Sequence, residues 1–190
     1  MQVYLETERL ILRRFTPADA DLIVELDSDP EVMRYLSGGP ATPRETIEQE
    51  ILPAWLRYYE RGDRYGFWAA IEKASGDFIG WFHFRPHPGD PDDQPELGYR
   101  FRRAAWGKGY GTEGSRALIR KGFTELGARR VIASTYQDNI GSRRVMEKSG
   151  LTFVRTFKYN GDDSADIWAG DDVEYAITRD EWEQQQAAAG

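Results

Sequence analysis

Thirteen residues near the middle of the chain, Arg102 to Gly114 (RRAAWGKGYGTEG), carry four glycines, a lysine and two arginines. What brackets them constrains the fold more than their count does. PELGYRF ahead of them reads as a strand, and behind them Ser115, Leu118, Ile119, Gly122, Phe123 and Leu126 recur at the spacing of an amphipathic helix ending near Gly127. A glycine-rich passage from strand to helix sets permissive backbone at a helix N-terminus, where unpaired N–H groups and the helix dipole favour an anion. Gly107, Gly109 and Gly111 let such a guest approach the main chain. Arg100, Arg102, Arg103, Lys108, Arg116, Arg120 and Lys121 stand against the single acid Glu113, against the sign of the whole chain. A phosphate or pyrophosphate suits the pattern, but a tight turn beside a solvated basic helix face would give the same letters.

Two better-known phosphate loops fail on spacing. In a Walker-type loop Ser or Thr follows the lysine, whereas Gly109 follows Lys108. Gly109, Gly111 and Gly114 do match Gly-x-Gly-x-x-Gly, yet the three preceding strands read as a meander, which is not how a dinucleotide-binding fold begins.

The remainder reads as one mixed α/β domain over 1–182 with a frayed tail over 183–190 (EQQQAAAG). RLILRRF is a first strand, and TPADADLIVEL a helix with Thr16 as cap and Pro17 in its first turn. A second helical segment runs from Arg44 to Tyr59, where Pro53 threatens a kink. YGFWAAIEK and DFIGWFHFR form a hairpin, the acidic loop PHPGDPDDQP leads to PELGYRF, and RRVIASTY follows the central helix. NIGSRRVMEKSG is a short helix stopped by Gly150, and LTFVRTF and DVEYAIT close the order as strands.

Composition removes several function classes. A net charge of −7 opposes a general nucleic-acid binder. The absence of cysteine excludes a cysteine nucleophile and thiolate metal sites. No apolar run approaches the roughly 18 residues of a membrane span. A soluble, cytoplasmic protein is expected. His83 and His87 are the only histidines and are read as structural, so no metal is expected.

The second signal lies downstream, in VIASTYQDNIGSRRVMEKSG. With WGKGYGTEG and TERLILRRF, it makes nearly the whole chain resemble the GNAT superfamily of acyl-CoA-dependent N-acetyltransferases, in the RimJ/RimL-like branch that acetylates ribosomal-protein N-termini. The resemblance implies a mixed, mostly antiparallel sheet of six to seven strands, with helices on both faces and a splay in the middle that holds acyl-CoA. It implies that Trp106, Gly107, Lys108, Gly109, Tyr110, Gly111 and Thr112, with Arg102, cradle the pyrophosphate of coenzyme A. Leu97, Tyr99 and Phe101 would lie along its pantetheine arm, and Asn139, Ser142 and Arg143 would also touch the cofactor. Relatives in this branch often carry Trp at the place of Trp106, where the superfamily usually has Arg or Gln. Met146 stands where many members place a tyrosine that protonates the leaving thiolate, and a thioether cannot donate that proton. Ser142 is then the implied stabiliser of the thiolate, Asn139 a neighbouring polar candidate and Tyr136 a weaker one.

The chemistry asks for a proton acceptor as well, since the amine must attack the thioester uncharged. Glu96 is the first candidate, acting through water, and Glu174 the second; each could equally be a solvated strand-end charge. Deprotonating a lysine-like amine at pH 7 costs roughly 4.6 kcal/mol, an α-amino group only about 1.4 kcal/mol. The expected acceptor is a protein or peptide N-terminus. A small amine, polyamine or antibiotic is the alternative, and an acyl-CoA-binding sensor without turnover is the reading from a different class. A homodimer is left open as a partner. Asn139 and Asp138 also suit a helix cap.

Overall fold

The computed structural model describes residues 2–158 and 171–189. Among the described residues eight strands form one sheet: β1 (Val3–Glu6), β2 (Leu10–Arg14), β3 (Gly66–Glu72), β4 (Phe78–Arg85), β5 (Glu96–Phe101), β6 (Arg130–Tyr136), β7 (Thr152–Phe157) and β8 (Asp172–Thr178). Their order is β1-β2-β3-β4-β5-β6-β8-β7. The helices are α1 (Ala20–Asp27), α2 (Pro30–Met33), α3 (Arg44–Thr46), α4 (Leu52–Tyr58), α5 (Tyr110–Thr124), α6 (Ile140–Lys148) and α7 (Arg179–Ala189). The mixed α/β class agrees with the sequence reading, and the count of six or seven strands is corrected to eight. β1 is the addition: VYLE is too short to announce itself, and it is recruited by pairing with β2 across a turn closed by Thr7 N donating to Leu10 O at 2.9 Å. Among the described residues no helix is long and apolar enough to cross a membrane.

The sheet buries apolar side chains on both faces, which is why β4 reads as a nearly continuous apolar run rather than an alternation. One core gathers Leu10, Leu12, Phe82, Phe84, Leu118 and Phe123 between the sheet and α5. Gly114 permits that approach, because a Cβ there would sit 2.2 Å from Phe82 Cζ. The other core gathers Phe15, Ile23, Leu26, Ile47, Trp55, Phe67 and Trp81 under α1 to α4.

Two sequence readings change in detail. The segment from Arg44 to Tyr59 is helical, but a π-helical turn over Ile47–Ile51 separates α3 from α4. Pro53 has no N–H to give the ladder, and the wider turn just ahead of it takes up the mismatch. Residues 183–189, expected to fray, continue α7. Thr178 and Glu181 close a capping box at its start, with Thr178 N to Glu181 Oε2 at 2.7 Å and Glu181 N to Thr178 Oγ1 at 3.3 Å. Gln185 Nε2 then ties the helix to Gly150 O at 3.0 Å.

The feature that positions the site is the one parallel pairing among the described residues. β4 and β5 are in register over six residue pairs, from Gly80↔Phe101 to Arg85↔Glu96, whereas β5 and β6 meet only at Glu96↔Ile132. Ile132 N to Pro95 O (3.1 Å) and Arg129 N to Asp93 O (2.8 Å) tie the closed end of this V. The edge of β5 facing β6 therefore carries no ladder partner from Leu97 to Phe101. At about 3.3 Å per residue it offers roughly 16 Å of unpaired strand.

Candidate active site

At the open end of the V, β5 runs through a single 3-10 turn (Arg103–Ala105) into the glycine loop and α5. Gly109 occupies the N-cap with φ 85° and ψ 0°, a left-handed conformation that costs any residue with a Cβ about 1–2 kcal/mol. That turn starts α5 inside the loop, five residues earlier than the apolar periodicity alone indicates. Its first hydrogen bond outside the loop's own turn is Glu113 N to Gly109 O at 3.0 Å, so the N–H groups of Tyr110, Gly111 and Thr112 project without intrahelical partners. These amides fit an anion.

The charge around the loop is arranged differently from its letters. Arg100 pairs with the buried Asp27, Arg102 with Glu25 (2.8 Å), Arg103 with Asp29 (3.2 Å) and Lys121 with Glu125 (2.6 Å). Much of the apparent basic field is thus neutralised, three of the four pairs by acids of α1 and the turn into α2. Glu113 is neutralised as well: Thr7 Oγ1 (2.6 Å), Arg9 N (2.8 Å) and Arg9 Nε (2.6 Å) all donate to it. Burial would push its carboxyl up, and these donors hold it below the usual range. Arg9 also donates to Lys108 O at 2.9 Å, so the β1–β2 hairpin buttresses the loop. Two of the expected cofactor contacts have their side chains engaged within the protein. Tyr110 is buried with its hydroxyl on Glu72 and Arg9 over its ring, leaving only its main chain to the cradle, and Arg102 lies over Phe78 on its way to Glu25. Trp106 stays half-exposed, its indole N–H donating to Phe101 O at 2.9 Å.

Alternation along β5 sends its side chains to opposite faces of the V. Leu97, Tyr99 and Phe101 point toward α5 and α6, so what they present to the gap is main chain, with Leu97 and Phe101 in the core. Tyr99 crosses to α6, where its hydroxyl donates to Ser142 O (3.0 Å) and lies 3.1 Å from Ser142 Oγ. Burial pushes the Tyr99 phenol well above its ordinary value. Met146 is fully in the core and supplies nothing to the gap. Asn139 caps α6, accepting from Ser142 N at 3.2 Å and donating to Thr135 Oγ1 at 3.1 Å, and thereby sets the turn that presents Ser142. Arg143 is engaged by Tyr175 (3.1 Å) and Gln137 O (3.0 Å), which makes it a tie between α6 and the sheet rather than a free cation.

On the other face, at the closed end, the sequence reading missed a cluster. Glu96 is nearly buried, with His83 Nε2 at 3.1 Å and His87 Nε2 at 2.8 Å from Oε2, and Ser134 Oγ donating to Oε1 at 3.0 Å. Burial pushes the Glu96 carboxyl up, but the two imidazoles outweigh it and hold the group well below the ordinary carboxylate range. His83 is lowered by burial despite Glu96, and His87, half-exposed, is raised by it. Gly98 makes room for this contact. It pairs with His83 across the strands, and a Cβ on it would sit 2.4 Å from His83 Cε1. The second candidate base, Glu174, is held elsewhere, by Arg130 (3.1 Å) and Arg155 (2.8 Å). A recess of about 530 Å³ lined by Asp93, Arg129, Arg130 and Arg179, among others, shares none of these candidate residues.

A splayed parallel pair, free amides at its mouth and ionisable groups at its vertex are what this mixed α/β fold offers a ligand. The family follows from comparison: residues 9–152 match the acetyltransferase (GNAT) domain, and the chain belongs to that family. It is an acetyl-CoA-dependent N-acetyltransferase. It is 35% identical to the FsC-acetyl coenzyme A-N(2)-transacetylase of Aspergillus fumigatus, over 97% of this chain and 80% of that one. A GNAT-family acetyltransferase from Bacillus anthracis superposes with a TM-score of 0.73 at 26% identity, covering 95% and 99% of the two chains. RimL, the ribosomal L7/L12 alpha-N-protein acetyltransferase solved with coenzyme A, shares the fold at a TM-score of 0.77 and 16% identity, covering 93% and 98%.

Proposed function

We propose that the enzyme moves an acetyl group from acetyl-CoA to an α-amino group by direct attack in a ternary complex. A carrier whose pyrophosphate rests on the amides of Gly107 to Thr112 can pair its arm with the free edge of β5 and bring its thioester to the vertex. There the amine nitrogen adds to the thioester carbonyl, forming the C–N bond, and the C–S bond then breaks. The departing thiolate accepts a hydrogen bond from Ser142, backed by Tyr99, on one face and is protonated from solvent; the proton shed by the amine goes to the Glu96 cluster on the other and from there to solvent.

One observation carries the choice of acceptor: the groups gathered at the vertex are a carboxylate and two imidazoles, bases weaker than a lysine amine. Such bases suit an amine of pKa near 8, which gives up its proton at pH 7 for about 1.4 kcal/mol, rather than one near 10.4. RimL, an alpha-N-protein acetyltransferase that shares the fold, is compatible with a peptide N-terminus as acceptor. The fungal relative's N(2) designation favours a second reading, an amine on a small molecule.

Mass spectrometry on a panel decides between them: peptides with free or blocked N-termini, peptides with one lysine, and small amines. Acetyl groups on α-amines, with blocked peptides inert, are expected. Product confined to lysine ε-amines overturns the proposal.

A further inference from the structure

The cluster around Glu96 contains three groups able to carry a proton, and their arrangement distinguishes their roles. Glu96 spends both oxygens: Oε1 on Ser134, Oε2 on His83 and His87. A carboxylate with three donors has its charge already compensated and is a poor base. His83 is on β4, enclosed between Phe67 (5.4 Å between ring centroids) and Trp81 (6.0 Å), over Gly98. It can hold Glu96 but offers little to an incoming molecule. His87 is on the loop after β4 with a side chain 38% exposed. Its Nε2 faces Glu96, which fixes the proton on that nitrogen and leaves Nδ1 as a lone pair.

We infer that His87 is the group that takes the amine's proton, with Glu96 as the positioning residue that fixes its tautomer and His83 and Ser134 holding Glu96. The inference rests on the acetyl-transfer reading above and specifies one proton within it. When the C–N bond forms, the ammonium proton passes to His87 Nδ1, directly or through one water. The imidazolium that results lies 2.8 Å from the Glu96 carboxylate, which stabilises it. Ser142, backed by Tyr99 on the opposite face, stabilises the thiolate with a hydrogen bond, and the proton that His87 gives up to solvent is matched by the one the thiolate takes from solvent.

The groups facing His87 are Glu96 of β5, His83 and Arg85 of β4, and Asp90 of its own loop. Glu96 dominates and raises the imidazole above its ordinary value of 6.5. Activity that needs neutral His87 therefore grows as pH climbs through that raised value. Removing the Glu96 charge lets the imidazole fall, so the acid limb moves to lower pH.

The test compares His87→Gln and Glu96→Gln with the wild type, using acetyl-CoA and a seryl dipeptide amide with a free α-amine. His87→Gln is expected to lose about 10²-fold in kcat together with the enzyme's acid limb, while calorimetric affinity for acetyl-CoA stays within twofold. Glu96→Gln is expected to keep an acid limb, displaced to lower pH. Because the acceptor is the same throughout, a limb that moves belongs to the enzyme. The chain has only two histidines, so imidazole NMR titrations give an acceptor-independent check: one ring should titrate above the ordinary value and drop in Glu96→Gln. A His87→Gln enzyme within threefold of wild type with its limb intact overturns the inference, as does an imidazole unmoved by Glu96→Gln. A wild type that acetylates none of the α-amines in the panel overturns the acceptor reading instead, and it does so before any variant is made.

Discussion

The two ends of the V work by different means. At the mouth, the proposed cradle consists of main-chain amides, and the side chains most conspicuous in the sequence turn away from it: Tyr110 to Glu72, Arg102 to Glu25, Arg103 to Asp29. At the vertex the side chains are everything, and each is supplied by a different element: His83 from β4, His87 from the loop beyond it, Glu96 from β5, Ser134 from β6 and, on the far face, Ser142 from α6. A backbone site is set by where glycine is allowed, and a side-chain site by which strands are in register. Substitutions at the mouth should consequently change affinity for acetyl-CoA, and those at the vertex should change turnover.

The sharpest separation is expected from Ser142→Ala, which removes the hydroxyl beside Tyr99: kcat should fall about 10²-fold with acetyl-CoA affinity within twofold in calorimetry. Unchanged turnover would take Ser142 out of the thiolate's path. Next comes Gly109→Val, which forces a β-branched residue to φ 85° at the start of α5. The left-handed penalty of about 1–2 kcal/mol should appear as roughly tenfold weaker acetyl-CoA binding, with kcat at saturation nearly preserved. If kcat fell instead while affinity held, the two ends would not be separable. Gly98→Ala drives a methyl into His83 and is expected to lower kcat about fivefold through the displaced ring, again without loss of affinity, the imidazole-to-Glu96 contact being worth on the order of 1 kcal/mol. An unaltered His83 titration in that variant would show that the ring does not need the space. Smallest is Lys108→Ala. As one exposed cation beside a cradle of amides, it should change the acetyl-CoA dissociation constant only about twofold, and less at high salt.

How much of this was readable beforehand follows the same division. The glycine loop, the strand before it and the helix after it were legible because positive φ and apolar periodicity are local properties of the chain. Local signals also gave α6 and its cap at Asn139, whose side chain does accept from Ser142 N. The Glu96 cluster was not legible as a cluster, since His83, His87 and Glu96 are scattered over fourteen positions and only the β4–β5 register, placing Arg85 opposite Glu96 and His83 opposite Gly98, brings them together. A hairpin closed around PHPGDPDDQP would have suggested it. The basic field was over-read for a related reason. Counting cations near Gly107 ignores Glu25, Asp27 and Asp29, which lie more than seventy residues earlier and arrive only when α1 and α2 pack on the sheet. The capping box of α7, Thr178 with Glu181, is a local signal that the expectation of a frayed tail left out.

The attachment of Glu113 to Thr7 and Arg9 has a practical side. Glu113, a carboxylate in the first turn of α5 beside the proposed cradle, is kept quiet by a hairpin at the far N-terminal edge of the sheet. A fragment trimmed at its front to Leu10 would keep every residue of the cradle and still hand it an uncompensated negative charge. Anyone shortening this protein for expression would be editing ligand affinity from a distance of a hundred residues along the chain.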